Sequence, residues 1–422
     1  MTMKKIGLSF QSFIAIISFS IAGSVIYELP YIKYVYYDKL LEAFHMTNAQ
    51  AGFLLSAYAI GCMVLYIPGG IVADKFSTKK MLVLSLFSTG VLGFILAFSM
   101  NYITALIVFF LFAFSTSFVF WTALNKGLRL IGGKDDSGSA YGWYYALGSI
   151  ISLACSFLFW DLYTSTEDAH SAMFKTIVAM SIAVLVAGLL VLLTFKDNAI
   201  ALSEDNGDDK FNLRDVGKAV RNPYLWWAAV IMFVMYTIYS NVTYFTPYLT
   251  SQVGMDVSDS SLLAIIRGYV LYFLAPVGGY VADKLLKSTL KFYGFGYAIL
   301  AVLFFMTTQI PAGVSSVTIA IIISMLASAF AMMMYGVMWS VLNEIDIPIS
   351  YAATAIGIAS MVIYLPDLFV PAMFGNWLDT LGDEAGYFRM FVFLGICCLA
   401  AVVLSFTLAI KVKRKKEAEQ IS

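Results

Sequence analysis

Charged residues are scarce in this 422-residue sequence, where Lys, Arg, Asp and Glu together make up only 12%. Soluble domains carry about a quarter charged residues. With 61% hydrophobic residues, a water-soluble chain would have too little polar surface to present to the solvent. The formal net charge is zero and the basic residues form no stripe, so no nucleic-acid partner is expected.

Histidine and cysteine are also rare, and neither occurs in a pattern typical of a catalytic or metal-binding site. The two histidines, His45 and His170, fall in predicted loops, and no nucleophile–base pair is visible. The cysteines lie in apolar segments, which argues against disulfides and metal clusters; they are Cys62, Cys155, Cys397 and Cys398. We therefore expect no cofactor and no metal, and a membrane enzyme is the less favoured class.

Two other classes of membrane protein lack their sequence signals. An ATP-driven pump needs a Gly-x-x-x-x-Gly-Lys-Ser/Thr phosphate loop, and the run Gly132-Gly133-Lys134 lacks that spacing. A channel would be expected to show a repeated pore loop or a filter-like run, and neither is present. A carrier remains the class that the sequence favours.

Long hydrophobic segments are what the sequence does have, with a mean hydropathy of +0.84. Each is close to the ~20 residues that cross a bilayer as a helix, whereas barrel strands would give ~10-residue alternating segments. Lys4 and Lys5 precede the first, which we interpret as an uncleaved span because further spans follow. The twelve predicted spans are 10–37, 49–73, 80–99, 102–124, 138–160, 172–195, 223–249, 260–282, 291–309, 315–342, 350–376 and 387–411.

The basic residues give the orientation of these spans. Most of the 26 Lys and Arg residues fall before span 1, in every second connection and in the tail. By the positive-inside rule, both termini are predicted to be cytoplasmic in a cell (plasma or inner) membrane. The predicted organisation is a six-helix bundle at 1–195, a polar cytoplasmic linker at 196–222, a second six-helix bundle at 223–411 and a basic cytoplasmic tail at 412–422.

A repeated heptapeptide relates the two halves. Residues 69–75 read Gly-Gly-Ile-Val-Ala-Asp-Lys, and residues 278–284 read Gly-Gly-Tyr-Val-Ala-Asp-Lys, at an offset of 209 residues. Each copy ends the second span of its own half on the predicted cytoplasmic side. Repeated halves are how many transporters build two-state machines.

The run from Gly70 to Lys80 resembles the signature loop between helices 2 and 3 of the major facilitator superfamily, with Ser77 in place of the usual glycine. The resemblance implies an all-α membrane protein of twelve helices in two pseudo-symmetric bundles. It also implies a secondary transporter that works by alternating access. The gating motif that it implies comprises Gly70, Asp74, Lys75, Lys79 and Lys80, with Gly279, Asp283 and Lys284 in the second copy.

The aspartates of this motif are expected to bind the N-termini of neighbouring helices. A carboxylate accepts hydrogen bonds from a helix N-terminus and complements its dipole. In this fold we expect Asp74 to meet the start of span 11 near Ser350, and Asp283 to meet the start of span 5 near Gly138. The contacts would form only when the cytoplasmic side is closed. The alternative is a charged turn that fixes topology.

Four charged residues lie inside predicted spans: Glu28, Lys33, Arg267 and Asp367. Such residues are costly in a membrane and are functional candidates. By helical rise, Glu28, Arg267 and Asp367 lie at similar depths, which predicts one polar layer. Glu28 and Asp367 are the candidates for proton coupling.

Arg267 stays charged and therefore needs a carboxylate, a cavity or an anion. It either binds an anionic group of the substrate or forms a structural salt bridge with Asp367, and the sequence leaves both open. Lys33 either joins the site or extends to the membrane surface.

Tyrosines concentrate in the same spans, and most are expected to serve in packing or at the membrane interface. The predicted substrate-binding residues are Arg267, Lys33, Tyr31, Tyr236, Tyr239 and Trp339. The stretch Tyr31-Ile-Lys33-Tyr34 resembles sugar-phosphate and organic-anion exchangers of the superfamily, which favours a small organic anion as substrate. The alternative is a neutral sugar or drug-like solute. The expected partners are a proton or counter-solute and the bilayer, and the protein is expected to be a monomer.

Overall fold

The computed structural model describes residues 10–132, 137–196, 213–347 and 352–421, which contain every predicted span except residues 350 and 351 of span 11. Ten helices are long and apolar enough to cross a membrane within them. One of these, Ala355–Ala418, turns at Gly382 and so makes two crossings, and the shorter apolar helix Phe10–Ile26 supplies one more. The prediction of twelve membrane helices is confirmed.

Five spans are each formed by a single helix. They are Asn48–Lys75, Thr78–Phe98, Ser137–Thr164, Ala169–Thr194 and Thr289–Thr307, which form spans 2, 3, 5, 6 and 9. Side-chain caps begin several of them; Ser77 and Asp168, for example, accept the backbone N–H groups of Lys80 and Ser171.

The other spans change helix type or break within the membrane. Span 1 comprises Phe10–Ile26, a 3-10 turn Ile32–Tyr34 and Tyr37–Phe44; span 4 comprises Tyr102–Ala113, a π-helix Phe114–Phe120 and Trp121–Gly132. Span 7 comprises Pro223–Asn241, Val242–Tyr244, Phe245–Pro247 and Tyr248–Gln252. Span 8 comprises Val257–Ile265, Ile266–Val270, Leu271–Leu274, Ala275–Tyr280 and Val281–Leu285. Span 10 comprises Val314–Ser316, Val317–Gly336 and Ser340–Glu344; span 11 begins with Ala352–Ile363, and Pro366–Ile421 completes it and forms span 12.

Two boundaries differ from the predicted map. The predicted loop between spans 11 and 12 is absent. The chain reverses at Gly382, whose φ is 75° and ψ is 174°, and the residues on both sides of it are helical. A helix, Leu213–Val220, forms inside the predicted linker 196–222 and packs against spans 7 and 11. Residues 197–212 of that linker lie outside the described residues.

The chain forms two compact units, Met1–Asp208 and Asp209–Ser422. Inside the first unit, span 3 packs on span 6, span 2 on span 4, and span 1 on spans 5 and 6. Inside the second, span 9 packs on span 12, span 8 on span 10, and span 7 on span 11. The same pairing of first with fifth, second with fourth and third with sixth helices recurs, as the 209-residue repeat predicts.

Candidate functional site

The four charged residues predicted to lie in the membrane are all buried or half-buried within their units. Glu28 is 7% exposed, and Lys33 and Arg267 are each 3% exposed. Asp367 is half-buried. Buried charges are retained only where partners or a ligand compensate them, so the surroundings of each decide what it does.

Glu28 lies where span 1 loses its helical structure. The helix ends at Ile26, two residues before Glu28, and Pro30 follows, which cannot supply an N–H to continue the helix. The Ser156 hydroxyl of span 5 donates to Glu28 Oε1 at 3.5 Å. Broken membrane helices with a carboxylate at the break are typical of ion and substrate sites in transporters.

Lys33 and Tyr31 lie in the same broken segment of unit 1. Lys33 Nζ lies 5.5 Å from the centre of the Tyr37 ring, and the side chain is packed inside the unit rather than extended along its surface. The Tyr31 ring stacks on Tyr34 at 5.2 Å and meets Tyr58 edge-on at 5.6 Å. A buried acid, a buried cation and an aromatic stack therefore lie within six residues of one another in the sequence.

Asp367 lies at a second break, in span 11 of unit 2. The first helix of this span ends at Ile363 and the next begins at Pro366. The Tyr236 hydroxyl of span 7 donates to Asp367 Oδ2 at 2.5 Å, and the Tyr364 ring meets the Tyr236 ring edge-on at 4.7 Å. The carboxylate is thus held against span 7 by a short charge-assisted hydrogen bond.

A stacked tyrosine pair extends this cluster. The rings of Tyr239 and Tyr335 lie 3.7 Å apart and within 4° of parallel, and Tyr239 is 6.0 Å from Tyr236. Trp339, which was predicted to join the site, lies in the turn between Val317–Gly336 and Ser340–Glu344 with 38% of its surface exposed. Within the described residues, the aromatic surface near Asp367 consists of tyrosines rather than of this tryptophan.

Arg267 lies in the π-helical segment Ile266–Val270 of span 8. Its Nη2 donates to Thr246 Oγ1 of span 7 at 2.5 Å. Its Nη1 is buried and finds no hydrogen-bond partner among the described residues. A guanidinium offers five N–H donors in a planar fork, so this one presents unused donors in a buried setting.

The salt bridge between Arg267 and Asp367, one of the two alternatives that the sequence leaves open for Arg267, does not form in this structure. Each charge binds span 7 instead, Asp367 through Tyr236 and Arg267 through Thr246. Thr246 lies ten residues beyond Tyr236, about 15 Å along a helix at 1.5 Å per residue. Arg267 and Asp367 are therefore anchored at different levels of span 7, and not in the single layer that counting along separate straight helices predicts.

Two polar residues of span 7 were not singled out in the sequence. Thr246 orients Arg267, and Asn241, 1% exposed, lies at the point where the first helix of the span ends. Asn241 Nδ2 donates to the Thr237 carbonyl at 2.8 Å, while its Oδ1 is buried without a partner among the described residues. The available signal was the run of polar residues before Pro247, which marks the distorted part of the span.

The first copy of the gating motif is described only in part. Gly70, Asp74 and Lys75 lie in helix Asn48–Lys75, but their side chains fall outside the described residues, as does Ser350. Lys79 and Lys80 lie in the first turn of Thr78–Phe98, where Ser77 Oγ accepts the Lys80 N–H at 3.3 Å. Ser77 thus caps span 3, which explains why a serine serves where the family has glycine.

The second copy shows a close helix crossing. A Cβ at Gly278 would collide with the backbone carbonyl of Met333, so spans 8 and 10 touch through their backbones there. Gly279, the glycine named in the predicted motif, meets only Val337 at an ordinary 3.8 Å. Asp283 and Lys284 are exposed on Val281–Leu285; the packing around Gly138, near which Asp283 was predicted to bind, lies outside what the structure describes.

Glu344 fastens the turn after this second copy. Ser288 Oγ caps span 9 by accepting the Lys291 N–H at 3.1 Å and itself donates to Glu344 Oε1 at 2.5 Å. Glu344 Oε2 also accepts the Leu290 N–H at 2.8 Å. A carboxylate from the end of span 10 therefore binds the positive end of span 9, as the helix dipole favours.

Known proteins resemble this chain along its length. The sequence profile of the Major Facilitator Superfamily matches residues 8–371. The inner membrane protein YqcE of Escherichia coli (strain K12) is 28% identical, with 96% of each chain covered. The hexuronate transporter of Bacillus subtilis (strain 168) is 21% identical over 85% of this chain and 86% of its own. Among solved structures, a bacterial homologue of the human lysosomal transporter Spinster matches with a TM-score of 0.77 at 14% identity, covering 96% of this chain and 98% of that one.

Proposed function

We propose that this chain, which belongs to the major facilitator superfamily and is a membrane secondary transporter, moves a small organic anion by alternating access. Its membrane-spanning helices and its inner-membrane relative support a location in an inner membrane. We further propose that transport is coupled to a proton or to a counter-solute, that the protein acts as a monomer and that both termini are cytoplasmic.

The observation that carries the anion proposal is the state of Arg267. It is 3% exposed, and among the described residues it binds the neutral Thr246 hydroxyl while Nη1 finds no partner. A guanidinium buried without a carboxylate costs several kcal/mol, and a bound anion removes that cost by taking the free edge of the fork. The name of the Bacillus subtilis relative, a hexuronate transporter, supports an organic anion as well.

The remaining predicted residues take roles around that anchor. Lys33 and Tyr31 in unit 1, and Tyr236, Tyr239 and Trp339 in unit 2, are proposed to contact the substrate body. Glu28 and Asp367 are proposed as the proton-coupling acids, because each lies at a helix break where its surroundings change when the helix moves. Asp74 and Asp283 are proposed to latch the closed cytoplasmic side.

A neutral sugar or drug-like solute moved with protons is the second candidate. The parallel stack of Tyr239 and Tyr335, beside the Tyr236–Asp367 hydrogen bond, favours it. Tyrosine faces pack against sugar or aromatic rings without needing a charge on them, and Asp367 could then exchange the proton. The two candidates differ in whether Arg267 is indispensable.

Uptake and binding by Arg267 variants test the proposal. Arg267→Lys should lose at least about tenfold in affinity, because an ammonium cannot reproduce the planar fork. Arg267→Ala should abolish binding while the protein still folds. Arg389→Lys, at an exposed arginine over the Trp377 ring, is the matched control and should bind normally. Full uptake by the double variant Arg267→Ala with Asp367→Ala would end the anion proposal and favour the neutral solute.

Two further measurements complete this test. A thermal-shift screen of sugar acids, phosphate esters, sulfonates, dicarboxylates and neutral sugars should identify the anion class, and counterflow in liposomes should show carrier behaviour. Reporter fusions at Ser422 and Thr166 should give opposite sidedness. The same compartment for both fusions would contradict the proposed orientation.

A further inference from the structure

A cavity of about 600 Å³ lies within unit 2, at the end far from Asp283. The end of span 7, the connection between spans 9 and 10 and the start of span 12 enclose it. The residues that define its chemistry are Tyr248, Gln252, Gln309, Glu384, Tyr387 and Phe388. It is separate from the Arg267 and Asp367 sites, neither of which contributes to its wall.

The Tyr248 hydroxyl is the unusual group in this wall. The side chain is 3% exposed, and its ring packs edge-on against Tyr387 at 5.3 Å and Phe391 at 5.2 Å. Its oxygen is buried without a hydrogen-bond partner among the described residues. Buried hydroxyls are normally paired, so this one is suited to a partner that the protein does not supply.

The neighbouring hydroxyls, unlike that of Tyr248, have hydrogen-bond partners. Thr307 donates to the Leu303 carbonyl at 2.9 Å, and Thr308 donates to the Phe305 carbonyl at 2.7 Å. Ser251 donates to the Tyr387 hydroxyl at 3.2 Å. Local helix bonds satisfy the threonines, which leaves the Tyr248 phenol as a buried donor in this wall without a partner among the described residues.

The charge of the cavity wall determines which charged group of a ligand can bind there. Glu384 is its acidic residue, and no lysine, arginine or histidine lines the cavity in the part of the chain that the structure describes. The aromatic faces of Tyr387 and Phe388 also attract cations. A wall of this composition accepts an ammonium group and repels a simple anion.

The rim of the cavity is apolar and open. Leu381 and Phe388 line it with 43% and 52% of their surfaces exposed, in a protein whose outside is hydrocarbon over much of its height. An occupant that combines an ammonium group, an oxygen acceptor and hydrocarbon chains matches Glu384, the Tyr248 hydroxyl and the rim together. Ethanolamine phospholipids have these three parts.

We propose that this cavity binds the headgroup of an ethanolamine phospholipid. The ammonium lies against Glu384 and the aromatic faces, a phosphate or ester oxygen accepts the Tyr248 proton, and the acyl chains lie along Leu381 and Phe388. The lipid's own ammonium offsets the charge of its phosphate, which is why a zwitterion enters a cavity that a bare anion does not.

The test is thermal unfolding of the purified full-length protein in detergent, titrated with dioleoyl phosphatidylethanolamine or dioleoyl phosphatidylglycerol. The ethanolamine lipid should raise Tm by mass action, and the glycerol lipid should not. Glu384→Gln should weaken the ethanolamine-lipid effect about tenfold in midpoint concentration. Asp259→Asn, which removes an exposed acid outside the cavity, is the matched control and should respond as the wild type.

Tyr248→Phe separates ligand binding from folding. Because the hydroxyl has no partner among the residues that the structure describes, its removal should leave the lipid-free Tm unchanged or higher, while most of the ethanolamine-lipid shift disappears. A lower lipid-free Tm would overturn the proposal, since it would mean that the hydroxyl already has a partner such as ordered water. Equal shifts with both lipids would overturn it too, as would free ethanolamine reproducing the shift, which would identify a soluble amine as occupant.

Discussion

The two units place one acid each at the crossing of their first and fifth helices, but they place it on opposite helices. In unit 1 the acid is Glu28 on span 1, facing Ser156 on span 5; in unit 2 it is Asp367 on span 11, facing Tyr236 on span 7. By the 209-residue offset Glu28 corresponds to Thr237 and Asp367 to Leu158. Each partner thus lies one or two residues from the counterpart of the other acid.

Both acids are also adjacent to a proline that interrupts their helix. Glu28 precedes Pro30 by two residues, and Asp367 follows Pro366 directly. A proline removes one backbone donor and clashes with the preceding turn, so the helix breaks and its carbonyls need other partners. Both units therefore have a carboxylate where a broken helix crosses its neighbour, although the two carboxylates do not occupy equivalent sequence positions.

The cations differ more between the units than the acids do. Lys33 follows Glu28 on the same broken span and lies near the Tyr37 ring. Arg267 lies on span 8 and binds Thr246, about 15 Å along span 7 from the level of Asp367. Unit 1 keeps its acid and cation within one segment, whereas unit 2 separates them, and we propose that this separation leaves the guanidinium available to a ligand.

The largest expected effect is on energy coupling, and it tests whether the two acids are equivalent. Glu28→Gln and Asp367→Asn keep the size of each side chain but cannot bind and release a proton. The variant of the coupling acid should lose uphill accumulation completely while substrate exchange continues. Uptake against a gradient and counterflow, measured in the same liposomes, separate the two activities.

The outcome also assigns the coupling to a unit. Loss in one variant alone would break the equivalence and place the proton in that unit. Uphill accumulation surviving in both variants would exclude Glu28 and Asp367 as coupling acids. Asp259→Asn, at an exposed acid outside the membrane interior, serves as the control and should accumulate substrate normally.

A smaller effect is expected from the repeated motif. Asp74→Asn and Asp283→Asn should weaken the contacts to helix N-termini that we propose form in one state of the cycle, each worth about 0.3–2 kcal/mol. Turnover should fall several-fold, with substrate affinity measured by thermal shift little changed. Equal loss in both variants would support two equivalent latches, whereas binding lost in proportion to transport would contradict the gating role.

The sequence predicts features that neighbouring or periodic residues determine, and it fails for contacts between residues that are far apart in the chain. Span number and the repeat are local or periodic properties, and the structure follows them. The partner of Asp367 is 131 residues away in the chain, and no spacing rule selects Tyr236 over the other tyrosines. Sequence reasoning paired Arg267 with Asp367 by counting depth along straight helices, but span 7 tightens at Val242–Tyr244 and span 8 widens at Ile266–Val270. Those changes of helix type alter both rise and facing.

The smallest effects on transport are expected from the last connection of each unit, where the units again differ. Spans 5 and 6 are joined by a loop, and Asp168 caps span 6 by accepting the Ser171 N–H at 2.7 Å. Spans 11 and 12 are joined at Gly382, whose φ of 75° and ψ of 174° are accessible almost exclusively to glycine. One connection thus depends on a charge and the other on backbone conformation, which predicts different responses to pH.

Hydrogen bonds from the Ser171 hydroxyl and backbone N–H hold the pKa of Asp168 below its ordinary value. The cap therefore stabilises the fold above the unfolded pKa of about 3.9 and loses this contribution as pH falls through the lower folded value. Asp168→Ala should lower Tm slightly near neutral pH, and the difference from wild type should shrink as the pH falls below about 3.9. Gly382→Ala should cost about 1–3 kcal/mol at every pH, because it strains the backbone and titrates nothing. Thermal unfolding of both variants across this range measures the contrast. A pH-independent loss in Asp168→Ala would mean that the side chain acts through packing, and the two connections would then not differ in the way that their geometry predicts.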